Sequence, residues 1–442
     1  MKKKAQAAIA TIAVSISLLA TLAMDGCNGQ TALPESAVSD QDVTDAYIYL
    51  MGRLLVLRQE RLDFEKEGFQ WNKIIYRDPG GVAWANPNLD VVYSEAWVAV
   101  DPNTCVQLEI PKIKGRYYTW HMLNGWGETT LNINPRTFPK KPDGKYAICL
   151  KGSPGNAPAD ALRVDVPSKT SRVLARVELG KDSKEAIRLQ HEFKLAPLGE
   201  IKVDSFPKEP LFANTALPGA EAFEDTSVVL ASEPDINEGM EPLRAKVKAV
   251  EAYAKSGPEA RQKVDGIIKT KSIPEFMSSA KNLGLSQNGW TRPKQVGNYG
   301  SDYVVRSVVN LIGIWANNGN EATYFGSVGN DGSKTYIQTF PKDALPKSKA
   351  KYFWSVIVVD SKEFKVIENP LRRYLLNSHS PLKFNPDGSL TLVFAPSKPA
   401  NKPESNWLPT KPSEDYNLTF RFYGPTPDVT DGTYFPPPLQ AQ

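Results

Sequence analysis

A few stretches of this sequence bring together residue types that could do chemistry. Arg116-Tyr117-Tyr118-Thr119-Trp120-His121 alternates across a strand, so Arg116, Tyr118 and Trp120 share one face and Tyr117, Thr119 and His121 the other. Arginine beside aromatic planes suits a carboxylate or sugar ligand, through bidentate hydrogen bonds and stacking. His121 is the best-placed general base, since imidazole titrates near neutral pH unperturbed. The competing reading is a core strand whose arginine pairs with a neighbouring acid. Asn86, Asn88, Asp90, Tyr93 and Glu95 surround a turn that leads into a strand. Asp90 and Glu95 point to opposite faces, so they do not make a local carboxylate pair for glycoside hydrolysis. Calcium ligation falls short in spacing and ligand count. Asp90 is the second candidate base and Tyr93 a ligand contact; Asx-turn chemistry alone accounts for the asparagines.

Arg306 lies four residues after Asp302 on an apolar helix, a spacing that lets them pair. Within such a helix an arginine needs partners, or faces a pocket between domains. Arg372-Arg373-Tyr374 follows the turn Asn369-Pro370, which makes Arg373 either an anion contact or part of a solvated basic surface. His379 reads as a loop histidine. The chain has no Gly-x-Ser-x-Gly elbow, P-loop, His-Glu-x-x-His or Gly-x-Gly-x-x-Gly. With three histidines and three cysteines in all and no paired spacing, neither a metal site nor a cofactor is expected. Neither Cys105 nor Cys149 is flanked by groups that would activate a thiol; they either form a disulfide or stay as two buried thiols.

These residues need elements to hold them. Val43, Tyr47, Leu50, Leu54, Leu57 and Leu62 recur at helical spacing, with Asp40 or Asp42 to cap the start. Strands are predicted at 91–100, 106–110, 116–123, 146–150 and 171–179, separated by turns such as Pro142-Asp143-Gly144. Residues 187–194 fit helix or strand. From Glu241 to Leu285 the pattern is helical, split by Gly257-Pro258, and Asp302–Trp315 reads as a buried helix. Strands return at 335–340, 352–359, 389–394 and 416–423. The expected fold is mostly β with α: two β-sandwich or jelly-roll-like domains, 41–195 and 299–442, joined by a helical, Pro-rich connector at 196–298.

The 442 residues carry 41% hydrophobic and 23% charged side chains, which rules out wholesale disorder. Thirty-five prolines favour short strands and turns over long helices. Met1–Lys4 and the uncharged run Ala5–Ala23 form the pattern of a secretory signal peptide over residues 1–26. Met24-Asp25-Gly26-Cys27 resembles a bacterial lipobox, with Cys27 the lipidated residue and 27–40 a flexible tether; Met24 and Asp25 depart from the usual residues, and a cut after Ala23 is the alternative. Formal charge is +4, and removing residues 1–26 leaves +2 with no basic run, so nucleic acid is not an expected partner. Membrane contact is expected only through a lipid on Cys27.

The ordered motifs resemble a bacterial arrangement of an N-terminal domain of unknown function 1254 (DUF 1254) and a C-terminal domain of unknown function 1214 (DUF 1214). In the first part the resemblance rests on Asn86-Pro87-Asn88-Leu89-Asp90-Val91-Val92-Tyr93-Ser94, with Val91 where Thr is usual, then Ala96-Trp97, Ile110-Pro111 and Arg116-Tyr117-Tyr118. In the second it rests on Gly300-Ser301-Asp302-Tyr303, Arg306, Phe353-Trp354-Ser355, Asn369-Pro370, Arg373-Tyr374, Asn385-Pro386-Asp387-Gly388-Ser389, Asn406-Trp407-Leu408-Pro409 and Asp431-Gly432-Thr433 before Pro436-Pro437. The resemblance implies two β-rich domains with a helical connector, often exported, and no settled activity. The expected function is binding of a small-molecule or glycan ligand in the cell envelope, in the periplasm or on an outer-membrane lipoprotein. The alternatives are a metal-independent hydrolase or lyase using His121 or Asp90, and an assembly protein that forms a homo-oligomer.

Overall fold

The computed structural model of the protein describes residues 38–80, 86–204, 207, 209–280 and 283–442. The expected signal peptide and Cys27 lie outside them. The fold is mostly β with α, as expected.

Helix α1 (Asp40–Lys66) starts where Ser39 accepts a hydrogen bond from the Asp42 amide, with Asp40 and Asp42 in the first turn to oppose the helix dipole. It is buried on nearly every side, as its apolar residues around the whole circumference require. Two sheets follow and form the first sandwich. One has the order β1 (Ile75–Tyr76), β2 (Val91–Ala99), β8 (Thr170–Glu178), β4 (Tyr118–Leu123), β5 (Thr129–Ile133). The other runs β7 (Leu162–Val166), β6 (Gly144–Leu150), β3 (Val106–Ile110), β9 (Lys194–Pro197). They close on Val92, Ala96, Val98, Trp120, Met122 and Val173 from one side and Val106, Leu108 and Ile148 from the other. Cys105 and Cys149 form a disulfide across this second sheet. The segment that fitted helix or strand divides into α2 (Ser183–Gln190) and β9.

Helices α3 (Thr226–Ala231), α4 (Glu241–Lys255), α5 (Pro258–Ile267), α6 (Ile273–Ser279) and α7 (Tyr303–Gly313) pack with α1 into one apolar cluster around Tyr47, Leu50, Leu54, Val247, Val250 and Val308. Truncating Leu54, 2% exposed there, to alanine removes roughly 2–5 kcal/mol. Helix α1 therefore belongs with the connector helices in one layer. No described helix is long and apolar enough to cross a membrane.

The second sandwich takes in strands ahead of residue 299. Its larger sheet runs β10 (Gly284–Gln287), β11 (Trp290–Pro293), β12 (Ala322–Asn330), β18 (Tyr416–Pro425), β14 (Ala350–Asp360), β15 (Leu375–Asn377). The smaller runs β17 (Trp407–Pro409), β16 (Leu390–Ala395), β13 (Tyr336–Phe340), β19 (Gln440–Ala441). Phe325, Trp354, Val356, Leu392, Phe394, Leu418, Phe420 and Phe422 fill the space between them.

Candidate functional site

Period-2 alternation leaves each large sheet with a second face that its own sandwich does not use. On the first sandwich Tyr93, Arg176 and Thr119 stand opposite one another across β2, β8 and β4. On the second, Tyr324, Arg421, Ser355 and Asn377 do so across β12, β18, β14 and β15. The two faces meet. The Asn377 amide donates to Asp90 Oδ1 at 2.8 Å, the Tyr117 hydroxyl to Glu321 Oε2 at 3.2 Å, and Arg421 Nη2 to the Asn86 carbonyl at 2.9 Å. His379 Nε2 lies 2.8 Å from Glu178 Oε1. The rings of Tyr117 and Tyr423 pack edge-on with centroids 4.9 Å apart.

This seam is polar and largely buried. Arg176 lies with its guanidinium carbon 5.3 Å from the Tyr93 ring centre, and Arg421 holds the same relation to Tyr324 at 5.8 Å. The hydroxyls of Tyr324 and Tyr423 are 3.0 Å apart. Burial pushes the phenols of Tyr93, Tyr117 and Tyr423 up, which keeps them protonated and able to donate. Burial likewise pushes the Asp90 carboxyl up, against the Asn377 hydrogen bond, the nearby Ser355 hydroxyl and the Arg421 charge. Tyr93 and Tyr324 keep some accessible surface although they lie between the sheets.

Of the residues expected at a site, Asp90, Tyr93 and His121 come together here. His121 has both ring nitrogens engaged: Nδ1 accepts from Arg176 Nη1 at 3.1 Å, and Nε2 meets Thr129 Oγ1 at 2.9 Å. Burial and the adjacent Arg176 charge push its pKa well below the usual value, so it is neutral and orients Arg176.

The others lie elsewhere. Tyr118 and Trp120 point into the first sandwich's core, 2% and 0% exposed; the face of that strand turned to the seam is the one with His121. Arg116 caps the end of β8 through the carbonyls of Glu178 and Leu179 at 2.8 and 3.2 Å. Arg306 sits among the helices, 3.0 Å from Asp235, 3.5 Å from Glu128 and over the Trp126 ring. Asp302 does not pair with it; it caps α7 by accepting from the Val305 amide at 3.1 Å. Arg373 Nη1 is spent on the carbonyls of Glu404 and Trp407. Among the described residues no group of three or more His, Cys, Asp and Glu is placed to hold a metal ion.

Arg176, Arg421, Tyr324 and Tyr423 are missed by motif reading. Their signal is weak but present. The strand Ser171-Arg172-Val173-Leu174-Ala175-Arg176-Val177-Glu178 carries three charges on one face, and Arg421 interrupts Thr419-Phe420-Arg421-Phe422-Tyr423.

Comparison with known proteins bears on the fold and the family. The crystal structure of the VPA0106 protein from Vibrio parahaemolyticus matches with a TM-score of 0.64 at 18% identity, covering 91% of this chain and 99% of that one. At that identity the likeness shows the fold alone. An uncharacterized protein from Burkholderia cenocepacia aligns with a TM-score of 0.43 at 15% identity, over 91% of this chain and 92% of that one. No curated protein matches. Residues 72–197 match the family described as protein of unknown function (DUF1254), and residues 326–427 the family described as protein of unknown function (DUF1214). The chain belongs to the proteins that carry a DUF1254 domain followed by a DUF1214 domain.

Proposed function

We propose that the protein is an exported binding protein that holds a small carboxylate-bearing ligand in the seam between its two sandwiches. One observation carries this reading. Arg176 and Arg421 are 4% and 1% exposed, and neither lies within ion-pair distance of a carboxylate among the described residues. Among the described residues Arg421 Nε and Nη1 and Arg176 Nε have no hydrogen-bond partner. A buried guanidinium without a counter-charge is costly, so such a pair is kept where an incoming anion completes it. The protonated tyrosines beside them supply further donors, and Tyr93 and Tyr324, which keep some accessible surface, mark the side of entry.

Export is supported by the pattern of Met1–Ala23 and by the Cys105–Cys149 disulfide, a bond that persists in oxidising compartments. Gly26-Cys27 supports a lipid tether. Base catalysis through His121 has less support, because no ring nitrogen is free to take a proton. Titration calorimetry with citrate, benzoate and glucuronate, on the mature protein and on Arg176→Gln, tests the reading. Binding of at least one, weakened tenfold or more in the variant, is expected; equal binding by the variant would remove the seam arginines from the site.

A further inference from the structure

A cavity of about 330 Å³ opens away from the seam, between α1, the turn before β8 and the end of α3. Glu60, Arg53, Trp71, Ser168, Lys202 and Ser232 are among its lining residues. Glu60 is 3% exposed, and among the described residues its carboxyl accepts no hydrogen bond and joins no ion pair. Burying a carboxyl in this way costs several kcal/mol unless something meets it.

The neighbours do not meet it. Arg53 Nη1 donates to the Gly125 carbonyl at 2.8 Å and Nη2 to Ser232 Oγ at 3.1 Å. Glu233, 1% exposed, is already served by the Ser168 hydroxyl. Asp63, one turn along α1, is taken by Trp97 and Arg172. At the mouth Lys169 pairs with Asp204 at 2.7 Å. Two buried carboxyls, Glu60 and Glu233, thus share one guanidinium at the cavity floor, while the Lys169 and Lys202 ammonium groups line the exposed mouth.

We propose that this cavity is a binding site for a small compound carrying a primary ammonium group, which pairs with Glu60. Trp71 offers an aromatic face to the same cation, and Val100, Leu150 and Pro167 line the space for an apolar body. The volume is at the small end of ligand cavities, so the ligand is a monoamine or short diamine in size. Burial, with the charges of Glu233 and Asp63 adding to it and that of Arg53 opposing it, pushes Glu60 up to about 7. Pairing with the ammonium requires the ionised carboxylate. Affinity therefore falls about tenfold for each pH unit below 7.

The test is the melting temperature of the purified full protein with benzylamine, putrescine and, as a neutral isostere, benzyl alcohol, from pH 5.5 to 8.5. The amines should stabilise at pH 8, and the effect should fade below pH 7. Benzyl alcohol should not stabilise. Glu60→Gln replaces a buried carboxylate with its neutral isostere, so it should fold, melt at or above the wild-type temperature at pH 8 and lose the amine effect. Amine stabilisation that survives in Glu60→Gln, equal stabilisation by benzyl alcohol, or no stabilisation by either amine would each overturn the proposal.

Discussion

Asp90 and Asn377 stand 287 positions apart in the chain, yet the Asn377 amide donates to Asp90 Oδ1 at 2.8 Å. That bond ties the entrance of β2 to the edge strand of the other sandwich. Because burial holds the Asp90 carboxyl above its usual range, its protonated form is favoured in the folded state. An acid with a raised folded pKa stabilises below that pKa and loses the contribution as pH rises through it. Asp90→Asn should therefore melt at or above wild type at pH 7.5. Asp90→Ala, which strands the Asn377 amide, should cost roughly 1–3 kcal/mol. Thermal melts of the two variants decide; equal loss in both would mean that the carboxylate charge itself holds the seam.

His121 gives a second pH signature. Its folded pKa is depressed, by burial first and by Arg176 second, whereas the unfolded chain takes up a proton near 6.5. Below that pH the unfolded state binds the extra proton, so stability falls by up to about 1.4 kcal/mol per pH unit as the solution is acidified. His121→Gln should flatten the stability curve between pH 6.5 and 5. A slope unchanged by the substitution would show that the ring is protonated in the folded protein.

Much of the fold was legible because it is written locally. Periodicity placed α1 to within a few residues, and Gly257-Pro258 divides α4 from α5 where expected. Strands at 106–110 and 416–423 follow from β-branched and aromatic runs between turns. The seam was only half legible. Asp90, Tyr93 and His121 were found from residue type, but a strand pattern gives two faces and not which one is core. For β4 the bulky Tyr118 and Trp120 read as ligand planes, and they are core because the paired sheet supplies Val106, Leu108 and Ile148 against them. Arg421 and Tyr324 meet the first sandwich through tertiary packing, which no local spacing encodes.

Arg306 now reads as a structural cation. Burial pushes Asp235 up but the Arg306 charge outweighs it and holds the carboxyl below its usual range, while burial lifts Glu128. Arg306→Ala leaves both acids buried without their partner, a loss of about 3–5 kcal/mol. A cooperative melt at the wild-type temperature would contradict this placement.

The disulfide closes 44 residues, for which loop entropy alone gives about 4 kcal/mol of stabilisation. Replacing Cys105 and Cys149 by alanine should lower the melting temperature by roughly 8–15 °C at 2–4 °C per kcal/mol. Thiol titration of the unreduced, denatured protein should detect neither cysteine. Two titrating thiols would contradict the bond.

The central claim is that the buried Arg176–Arg421 pair awaits an anion. The most direct measurement is the melting temperature of the mature protein against matched carboxylates and neutral analogues, benzoate with benzyl alcohol and glucuronate with glucose, in wild type and in Arg421→Gln. A ligand at about 100 times its dissociation constant stabilises by about 2.7 kcal/mol, a shift of roughly 5–10 °C. The account predicts such a shift with a carboxylate, none with its neutral partner, and its loss in Arg421→Gln. A flat response throughout, or a carboxylate shift that Arg421→Gln retains, would contradict it.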